Sequence, residues 1–371
     1  MSRKAKKVLV TGAGGYVGSL LVPKLLKAGY DVVAVDRYFF RKYPGINAEN
    51  EISTSTFDLP RLEVLKEDVR FLSEKVFEDI YAVIDLVAIS NDPSSEYFKE
   101  ATIQINYLSR ARTARLAKKK GVKRYILPSS CSIYGFQKDI VDENSEINPL
   151  TTYAKANRMA EEAVLPLADD DFVVVVMRQA TLFGYSPRMR FDLAINGMTY
   201  GAWKMGSLPL MRDGTQYRPM LHVEDTTDVM LLLLEADKSL INGEIFNVGG
   251  DELNYQIKDV GETVKKIVEE LTGKRVDIEW YGDPDKRSYR VSFAKIKKVL
   301  GWSPKRDAAY GVRQIVEKLE SGELDKTTET ITLEWYKELE KWYQIIKELE
   351  MYGGIINIKI DEEQLRSEAL S

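Results

Sequence analysis

The sequence predicts an α/β protein with a doubly wound parallel sheet and a smaller domain in the C-terminal part of the chain. Short apolar runs alternate with amphipathic helical segments through the first 180 residues, as expected for parallel strands joined by helices. A glycine cluster interrupts this pattern near the N-terminus. Beyond about residue 180, Gly, Pro, Met and Arg become frequent and the alternation stops, which indicates a change of domain.

The first predicted element is a strand that leads through a tight turn into a helix. The apolar run at 8–10 ends at a glycine cluster, and apolar side chains then recur at helical spacing, at Tyr16, Leu20, Leu21, Leu25 and Leu26. Gly12 permits the turn, Gly15 lets the backbone approach a phosphate, and Gly18 lets the helix pack against the strand. Because a helix N-terminus presents free N–H groups, the motif predicts a dinucleotide pyrophosphate site.

The second strand, at 32–36, ends on an acidic residue. Asp36 lies about 20 residues beyond the glycine turn, where a carboxylate accepts hydrogen bonds from the adenosine ribose. The same charge repels a 2′-phosphate, which favours NAD over NADP. Arg37 follows directly and could soften that preference.

Four further strands are predicted, at 63–66, 81–88, 123–128 and 172–177. Long helices are predicted at 94–119 and 152–168, and the first of them ends at Gly121 behind a lysine cluster. Residues 38–60 are polar, with two prolines and a glycine, and predict a loop with short helical pieces.

The predicted organisation has three segments. Residues 1–180 form the dinucleotide-binding domain, and residues 181–320 form a smaller mixed α/β domain, some of whose strands and helices return to the first. Helices are predicted there at 224–236 and 256–272. Residues 321–371 form a helical extension, in which 332–342 is amphipathic and rich in i,i+4 charge pairs.

Composition excludes several classes of function. The 371 residues are 44% hydrophobic and 30% charged with a net charge of −4, which argues against a nucleic-acid or anionic-membrane partner. The single cysteine, Cys131, cannot form an intramolecular disulfide and suits a reducing compartment, so a cytoplasmic protein is expected. One histidine, His222, makes neither a metal site nor a catalytic triad, and no metal ligands are predicted.

Two stretches lie at predicted strand ends, where such a sheet places its reactive groups. They read Ser-Ser-Cys-Ser-Ile-Tyr-Gly at 129–135 and Thr-Thr-Tyr-Ala-Lys-Ala-Asn at 151–157. With the glycine turn and the Arg-Pro-Met-Leu-His-Val-Glu-Asp run at 218–225, they resemble the extended short-chain dehydrogenases/reductases, whose fold is a Rossmann sheet with a substrate-binding C-terminal domain. The resemblance runs to about Trp302 and includes UDP-galactose 4-epimerase-like enzymes. The runs 186–190 and 283–287 resemble GDP-heptose dehydrogenase-like members of the family.

The resemblance implies that Tyr153 is the base that takes a sugar hydroxyl proton, while Ser130 hydrogen-bonds the same oxygen. Tyrosine has an ordinary pKa near 10 and needs help near neutral pH. Family members supply it with a lysine four residues after the tyrosine, where this chain has Asn157. Lys155 cannot substitute, because two helical positions turn it to roughly the opposite face. We therefore expect Asn157→Lys to raise the rate, unless another cation does the work of the lysine.

The resemblance also implies a cofactor site and a substrate site. The expected NAD contacts are Gly12, Gly15, Tyr16, Val17, Gly18, Asp36, Arg37, Asp68, Val69, Leu86, Val87, Ala88, Ser129, Tyr153 and Asn157. The expected contacts to a nucleotide-diphosphate sugar are Ser90, Asn91, Ser132, Thr181, Arg188, Arg190, Arg218 and Arg287, the arginines being candidates for the diphosphate.

The expected function is NAD-dependent oxidation or epimerisation at a ring hydroxyl, at C4, of a nucleotide-diphosphate sugar. The alternative is a catalytically impaired protein that binds NAD and a sugar nucleotide without turnover. A 4,6-dehydratase is disfavoured, because Cys131 and Ser132 occupy the places where such relatives carry acids. A homodimer is expected through the helices at 94–119 and 152–168, whose apolar residues include Ile105, Leu108, Leu116, Met159 and Val164.

Overall fold

The computed structural model describes residues 5–40, 56–59, 61–282 and 288–350. It divides the chain into two compact units, Met1–Lys326 and Thr327–Ser371. The described strands all belong to the first unit.

The strands, numbered in chain order, are β1 (Lys7–Thr11), β2 (Asp31–Asp36), β3 (Thr56–Leu59), β4 (Leu62–Lys66), β5 (Ile80–Asp85), β6 (Arg124–Ser130), β7 (Ile140–Val141), β8 (Val173–Gln179), β9 (Thr181–Phe183), β10 (Ser207–Met211), β11 (Tyr217–His222), β12 (Glu244–Val248), β13 (Asn254–Gln256), β14 (Asp277–Tyr281) and β15 (Arg290–Val291).

The α-helices are α1 (Gly18–Lys27), α2 (Asp92–Tyr97), α3 (Lys99–Ile103), α4 (Arg110–Lys119), α5 (Thr152–Val164), α6 (Ala194–Met205), α7 (Val223–Glu235), α8 (Lys238–Ile241), α9 (Ile257–Thr272), α10 (Ala294–Leu300), α11 (Ala308–Glu320) and α12 (Thr332–Leu349).

The main sheet has the strand order β12-β8-β6-β5-β1-β2-β4-β3. Seven of its strands are parallel, and β3 pairs antiparallel with β4 at one edge. A hydrophobic core lies on each face of this sheet, which is why β8, with four consecutive valines, is buried almost throughout. The predicted doubly wound parallel sheet is confirmed.

Three local predictions need correction. Within 38–60, predicted as a loop with short helical pieces, residues 56–59 form strand β3; residues 41–55 and 60 lie outside the described part of the chain. The helix expected over 94–119 is interrupted at Phe98, which has φ −111° and ψ 56°, and again by a π-helical turn at Gln104–Ser109. The helix expected over 152–168 ends at Val164 and continues as a 3-10 turn, Leu165–Leu167, which contains Pro166.

Tertiary contacts account for the π-helical interruption of the helix expected over 94–119. Within the π-helical turn, the Asn106 side chain accepts the Ile89 N–H at 2.8 Å and donates to the Ile89 carbonyl at 2.9 Å. These two hydrogen bonds join Asn106 to a residue 17 positions earlier in the chain, so the helical spacing of apolar residues gives no sign of them.

The part of the first unit beyond residue 180 builds a third core and also contributes to the main sheet. Apolar side chains of α6, α9 and α11 pack with β10 and β11 in a separate cluster. Strand β12 pairs parallel with β8 and completes the main sheet. The smaller sheets are β13-β11-β9, β10-β14 and β15-β7.

The second unit contains α12, an amphipathic helix preceded by a 3-10 turn at Thr328–Thr330. Over the described ranges, no helix combines the length and the apolar character that crossing a membrane requires.

Candidate active site

The glycine turn between β1 and α1 is shaped for close backbone approach. Gly12 has φ +67°, and a Cβ there would lie 2.8 Å from the carbonyl carbon of Leu86. A Cβ at Gly18 would lie 2.3 Å from the Gly12 carbonyl oxygen, so neither position accepts a side chain. Among the described residues, a Cβ at Gly15 would contact only that same oxygen, at 3.1 Å. The turn therefore leaves the open cradle that a pyrophosphate of NAD requires.

Asp36 lies at the end of β2, directly beside this cradle. Its carboxylate accepts the Gly14 N–H at 3.0 Å and the Tyr38 N–H at 2.7 Å. Burial raises the pKa of Asp36, and these hydrogen bonds together with the charge of Arg188 oppose the shift. A carboxylate offers about four acceptor positions, so capacity is left for the hydroxyls of a ribose.

Arg37 and the turn after β4 form a separate ionic cluster. Asp68 accepts the Arg70 N–H at 3.0 Å and its guanidinium at 2.7 Å, and these bonds lower the pKa of Asp68. The Arg37 guanidinium lies 3.6 Å from the same carboxylate. Val69 is buried at the start of this turn. Arg37 thus forms its ion pair with Asp68.

The end of β5 forms the other side of the cradle. The Leu86 N–H donates to the Thr11 carbonyl at 3.2 Å, and the Val87 N–H donates to the Thr11 hydroxyl at 3.2 Å. Ala88 follows, partly buried like its two predecessors. The Asp85 carboxylate accepts hydroxyl hydrogens from Thr11 and Tyr125, which ties β1, β5 and β6 together.

The side chain of Tyr16 connects the glycine turn to residues beyond β9. Its hydroxyl donates to the Gly184 carbonyl at 2.6 Å and accepts a bond from Asn196 at 3.2 Å. Ser186 donates to the Tyr16 carbonyl at 2.7 Å. Burial raises the pKa of Tyr16, so its hydroxyl keeps its proton. Val17 caps α1 and is partly buried.

Tyr153 lies in the first turn of α5, which packs against β6 where that strand ends at Ser130. Thr151 fixes the start of the helix: its hydroxyl accepts the Ala154 N–H at 3.2 Å and donates to Asp92 at 2.8 Å. The Ser130 hydroxyl accepts the Ser132 N–H at 3.1 Å, and accepting this bond leaves its own hydrogen available to donate. The structure thus brings both predicted catalytic residues to one edge of the sheet.

Asn157 lies one turn beyond Tyr153 and contacts a buried cation. Its amide donates to the Tyr153 carbonyl at 3.0 Å, and its Oδ1 accepts Nη1 of Arg110 at 3.1 Å. Burial raises the pKa of Tyr153, whereas the charge of Arg110 and the Asn157 side chain lower it. A buried cation is therefore linked to Tyr153 through Asn157, and its charge favours the phenolate.

Ser129 and Cys131, next to Ser130, have structural partners. The Ser129 hydroxyl donates to Glu161 at 2.6 Å, and Glu161 forms a buried ion pair with Arg178 at 2.9 Å. The Cys131 thiol donates to the Arg178 carbonyl at 3.1 Å, and burial raises its pKa. A thiol held in this way is neither a nucleophile nor a general acid near neutral pH.

Ser90, Asn91 and Arg190 meet in one cluster with Asp192. Arg190 binds the Asp192 carboxylate through two hydrogen bonds, at 3.0 and 2.8 Å, and donates to Ser90 at 3.1 Å. Asn91 donates to Asp192 at 2.6 Å and caps α2 by accepting the Ser94 N–H at 2.8 Å. Arg190 is buried, and its charge also acts on Tyr153.

The other predicted substrate residues do not share one cluster. Arg188 packs its guanidinium on the Phe40 ring at 3.5 Å and acts on Asp36, which places it on the cofactor side. Arg218 lies over the Tyr289 ring at 5.7 Å, and Tyr153 contributes to the raised pKa of Tyr289. Thr181 begins β9, partly buried. Arg287 lies outside the described residues.

Ser132 directly follows Cys131 in the 3-10 turn Cys131–Tyr134. Its hydroxyl is buried and, within the described parts of the chain, has no hydrogen-bond partner. A buried hydroxyl in this condition favours a polar ligand group at the site.

Sequence reasoning missed Arg110, Asp92, Asp192 and Tyr289 as residues of the site. One signal for Arg110 was available: it starts a helix whose buried stripe continues with Thr113, Ala114 and Ala117. An arginine on such a face needs buried acceptors. Nothing in the spacing connects it to Asn157, which lies 47 residues further on. Within the described ranges, no group of His, Cys, Asp and Glu is arranged to hold a metal ion.

The chain is similar in sequence to known nucleotide-sugar enzymes. UDP-glucuronic acid decarboxylase 1 of Arabidopsis thaliana is 26% identical over 325 residues, covering 85% of this chain and 70% of the relative. The uncharacterized UDP-glucose epimerase YtcB of Bacillus subtilis is 24% identical over 327 residues, covering 85% of this chain and 98% of the relative.

Solved structures show the same fold. MoeE5 in complex with UDP-glucose and NAD is 25% identical with a TM-score of 0.71, covering 86% of this chain and 100% of that one. UDP-N-acetylglucosamine 4-epimerase from Methanobrevibacter ruminantium has a TM-score of 0.74 at 21% identity, with coverage of 86% and 100%. The model of the NAD dependent epimerase/dehydratase family matches residues 8–249, from β1 to just beyond β12. The chain therefore belongs to this family of enzymes, whose cofactor is NAD.

Proposed function

We propose that the chain oxidises a ring hydroxyl, at C4, of a nucleotide-diphosphate sugar and returns the hydride to give the C4 epimer. The observation that carries this proposal is the position of Tyr153. It is a partly buried phenol at the start of α5, faced by the charges of Arg110, Arg190 and Asp92, beside the strand end that carries Ser130.

The residues have separable roles in this reaction. The cradle at Gly12, Gly15 and Gly18 holds the pyrophosphate of NAD, and Asp36 holds the adenosine ribose. NAD bound there would supply the hydride acceptor and donor for the sugar carbon. The phenolate of Tyr153 takes the proton of the same carbon's hydroxyl, and Ser130 donates a hydrogen bond to that oxygen.

The sugar nucleotide is proposed to lie against Ser90, Asn91, Ser132, Thr181 and Arg218. Arg218 suits the diphosphate better than Arg190 does, because Asp192 already neutralises Arg190. Arg188 suits the cofactor side better, because its charge acts on Asp36.

A second candidate is decarboxylation of a nucleotide-linked uronic acid. It is favoured by the UDP-glucuronic acid decarboxylases among the relatives and by the MoeE5 complex with UDP-glucuronic acid and NAD, 26% identical to this chain. A ketone at C4 is β to a carboxylate on C5, which promotes loss of carbon dioxide, so both candidates share the first oxidation. Dehydration stays disfavoured, since the Cys131 thiol is buried and its pKa is raised.

The test is incubation of the protein and NAD with UDP-glucose, UDP-glucuronic acid and GDP-linked sugars, followed by NMR of the products. An inverted C4 centre supports epimerisation, and a pentose product with carbon dioxide supports decarboxylation. Mass spectrometry of co-purifying nucleotides narrows the panel. Tight binding of a sugar nucleotide without conversion would support the impaired binding protein instead.

Tyr153→Phe tests the assignment of the base. We expect it to abolish turnover, because phenylalanine has no hydroxyl to take up the proton. Tyr343→Phe, at an exposed position of α12, is the matched control and should behave as the wild type. Substantial activity in Tyr153→Phe would overturn the proposed mechanism.

We further propose a homodimer and a cytoplasmic location. The dimer rests on the exposed apolar residue Leu108 next to α4. The location rests on Cys131, a free and buried thiol.

A further inference from the structure

Arg110 is a buried cation with three hydrogen bonds. It is 2% exposed and begins α4 directly after the π-helical turn. Its Nε donates to the Val87 carbonyl at 3.1 Å, Nη2 to the Asp85 carbonyl at 3.0 Å, and Nη1 to Oδ1 of Asn157 at 3.1 Å. Each guanidinium nitrogen thus has an acceptor, so the side chain is fixed.

These acceptors hold Arg110 without neutralising it. Two are main-chain carbonyls and the third is an amide, and none carries a formal charge. The bond to Asp85 goes to its main-chain oxygen, while its carboxylate accepts the hydroxyls of Thr11 and Tyr125. Other buried arginines of the site differ: Arg178 pairs with Glu161 and Arg190 with Asp192.

The charge of Arg110 acts on two phenols: that of Tyr125, whose hydroxyl donates to the Asp85 carboxylate, and that of Tyr153. The groups facing Tyr153 are Arg110 from α4, Asp92 from α2, Arg190 from the segment before α6, and the phenol of Tyr289 before β15. Arg110 has the largest effect among the charges, and it favours the phenolate. A nearby positive charge stabilises the anionic form of an acid more strongly when both groups are partly buried.

We propose that Arg110 supplies the positive charge that Tyr153 needs as a base, and that Asn157 positions Arg110 by accepting a hydrogen bond from its guanidinium. Arg110 acts through Tyr153 and is not assigned a contact with the substrate. The inference rests on the proposed function, because it concerns the base of that reaction. On this inference, the amide at position 157 accepts a hydrogen bond from Arg110, and a lysine there would repel the Arg110 guanidinium.

The sharpest variant is Asn157→Asp, which has nearly the same shape, keeps the acceptor for Arg110 and neutralises its charge, at the loss of the hydrogen bond that the amide donates to the Tyr153 carbonyl. We expect turnover of the sugar nucleotide at neutral pH to fall about tenfold for each unit by which the apparent pKa of Tyr153 rises, and to recover at alkaline pH. Asn144→Asp adds the same charge at an exposed position and serves as the control.

Removing the cation should act in the same direction. Arg110→Met should lower the rate at neutral pH and move the profile to higher pH, while Arg110→Lys should retain most of the rate. Arg112→Met, two positions along the same helix, should leave the profile unchanged. A role in folding alone would lower the rate equally at every pH.

Asn157→Lys distinguishes this inference from a site that lacks a cation. In the wild-type background it places a second positive charge against Arg110 and should bring no gain in rate. In the Arg110→Met background it should restore the rate and the pH profile. A gain in the wild-type background would overturn the inference.

A readout independent of turnover is the NMR titration of isotope-labelled tyrosine rings, with the Tyr153 signal assigned by its loss in Tyr153→Phe. Its pKa should rise in Asn157→Asp and Arg110→Met, and an unchanged pKa in Asn157→Asp would overturn the inference even if Arg110→Met does not fold. If Tyr153→Phe retains turnover, the proposed function fails. If Tyr153→Phe is inactive but the pH–rate profiles of Asn157→Asp and Arg110→Met are not shifted from that of the wild type, only the inferred role of Arg110 fails.

Discussion

Asp36 shows at the scale of one residue how a ribose acceptor is prepared. Two backbone N–H groups, from Gly14 and Tyr38, fix its carboxylate at the end of β2. Because these bonds occupy only part of its acceptor capacity, the carboxylate is oriented before any ligand arrives. Arg37 is engaged with Asp68, so it does not offset the repulsion of a 2′-phosphate.

We therefore expect Asp36→Ala to weaken NAD binding by about 10- to 100-fold, the usual cost of losing hydrogen bonds to a charged group. Binding of NADP should weaken less, since the repulsion is lost together with the bonds. Isothermal titration of both dinucleotides measures the two losses. Asp31→Ala, at the other end of the same strand, is the control. Equal losses for NAD and NADP would remove Asp36 from the ribose site.

Motifs at single strand ends could be predicted from the sequence, and contacts between distant segments could not. Ser130 and Tyr153 belong to local patterns, and the structure brings them to one sheet edge. Arg110 was missed because its partners, Asp85, Val87 and Asn157, lie on two other segments. The bond from the Tyr16 hydroxyl to the Gly184 carbonyl, 168 residues further on, likewise left no trace in the sequence pattern.

At the scale of elements, strands were easier to predict than helices. A strand buried on both faces is a continuous apolar run, as β8 is, and such a run is visible without knowledge of its neighbours. The helix over 94–119 is instead broken by a bond from Asn106 to Ile89 and by the conformation of Phe98. The Asn106 bond is tertiary, and neither interruption leaves a periodic trace in the sequence.

The junction of β11 and α7 depends on the neutral form of one histidine. His222 caps α7 through Nδ1, which accepts the Glu224 N–H at 3.2 Å, and its Nε2 lies 3.1 Å from Gln314. The ring packs edge-on against Phe183 and Tyr310. Nδ1 must be unprotonated to accept, and burial lowers the pKa of His222 to about 4.

Stability should consequently fall as the pH drops below about 6.5, the ordinary pKa of histidine, toward 4. In this window the unfolded chain binds a proton at His222 that the folded chain excludes, so acid favours unfolding. The full effect is about 3 kcal/mol. Urea unfolding across this range measures it. His222→Asn keeps a capping oxygen and should be less stable overall with a flatter pH dependence; an equal slope in both proteins would contradict the assignment.

At the scale of the whole molecule, side-chain exposure shows which of the apolar residues expected at the dimer interface are available for contact. Of the apolar residues expected there, Val164 is fully buried in the core, and Ile105, Leu116 and Met159 are partly buried. Leu108 is 50% exposed and Phe71 is 75% exposed. We therefore expect Leu108 and Phe71, rather than the buried residues, to contact a second copy of the chain.

Leu108→Glu should weaken the dimer, because burying a leucine contributes about 2 kcal/mol per copy and a carboxylate opposes burial. Light scattering at micromolar concentration measures the mass. Leu240→Glu, at a similarly exposed leucine of α8, should leave the dimer intact. A wild-type protein of monomer mass would defeat the prediction.

The position of β12 has a consequence for the order in which the protein is completed on the ribosome. β8 ends at Gln179, but its outer neighbour β12 begins only at Glu244. While the intervening residues are synthesised, four consecutive valines stand at an open sheet edge, and unpaired edges invite association with other chains. The Gly184 carbonyl, which accepts a hydrogen bond from the Tyr16 hydroxyl in the folded protein, is also synthesised after β8. A nascent chain arrested near residue 180 should therefore aggregate more readily than one released after residue 326, where the first unit ends.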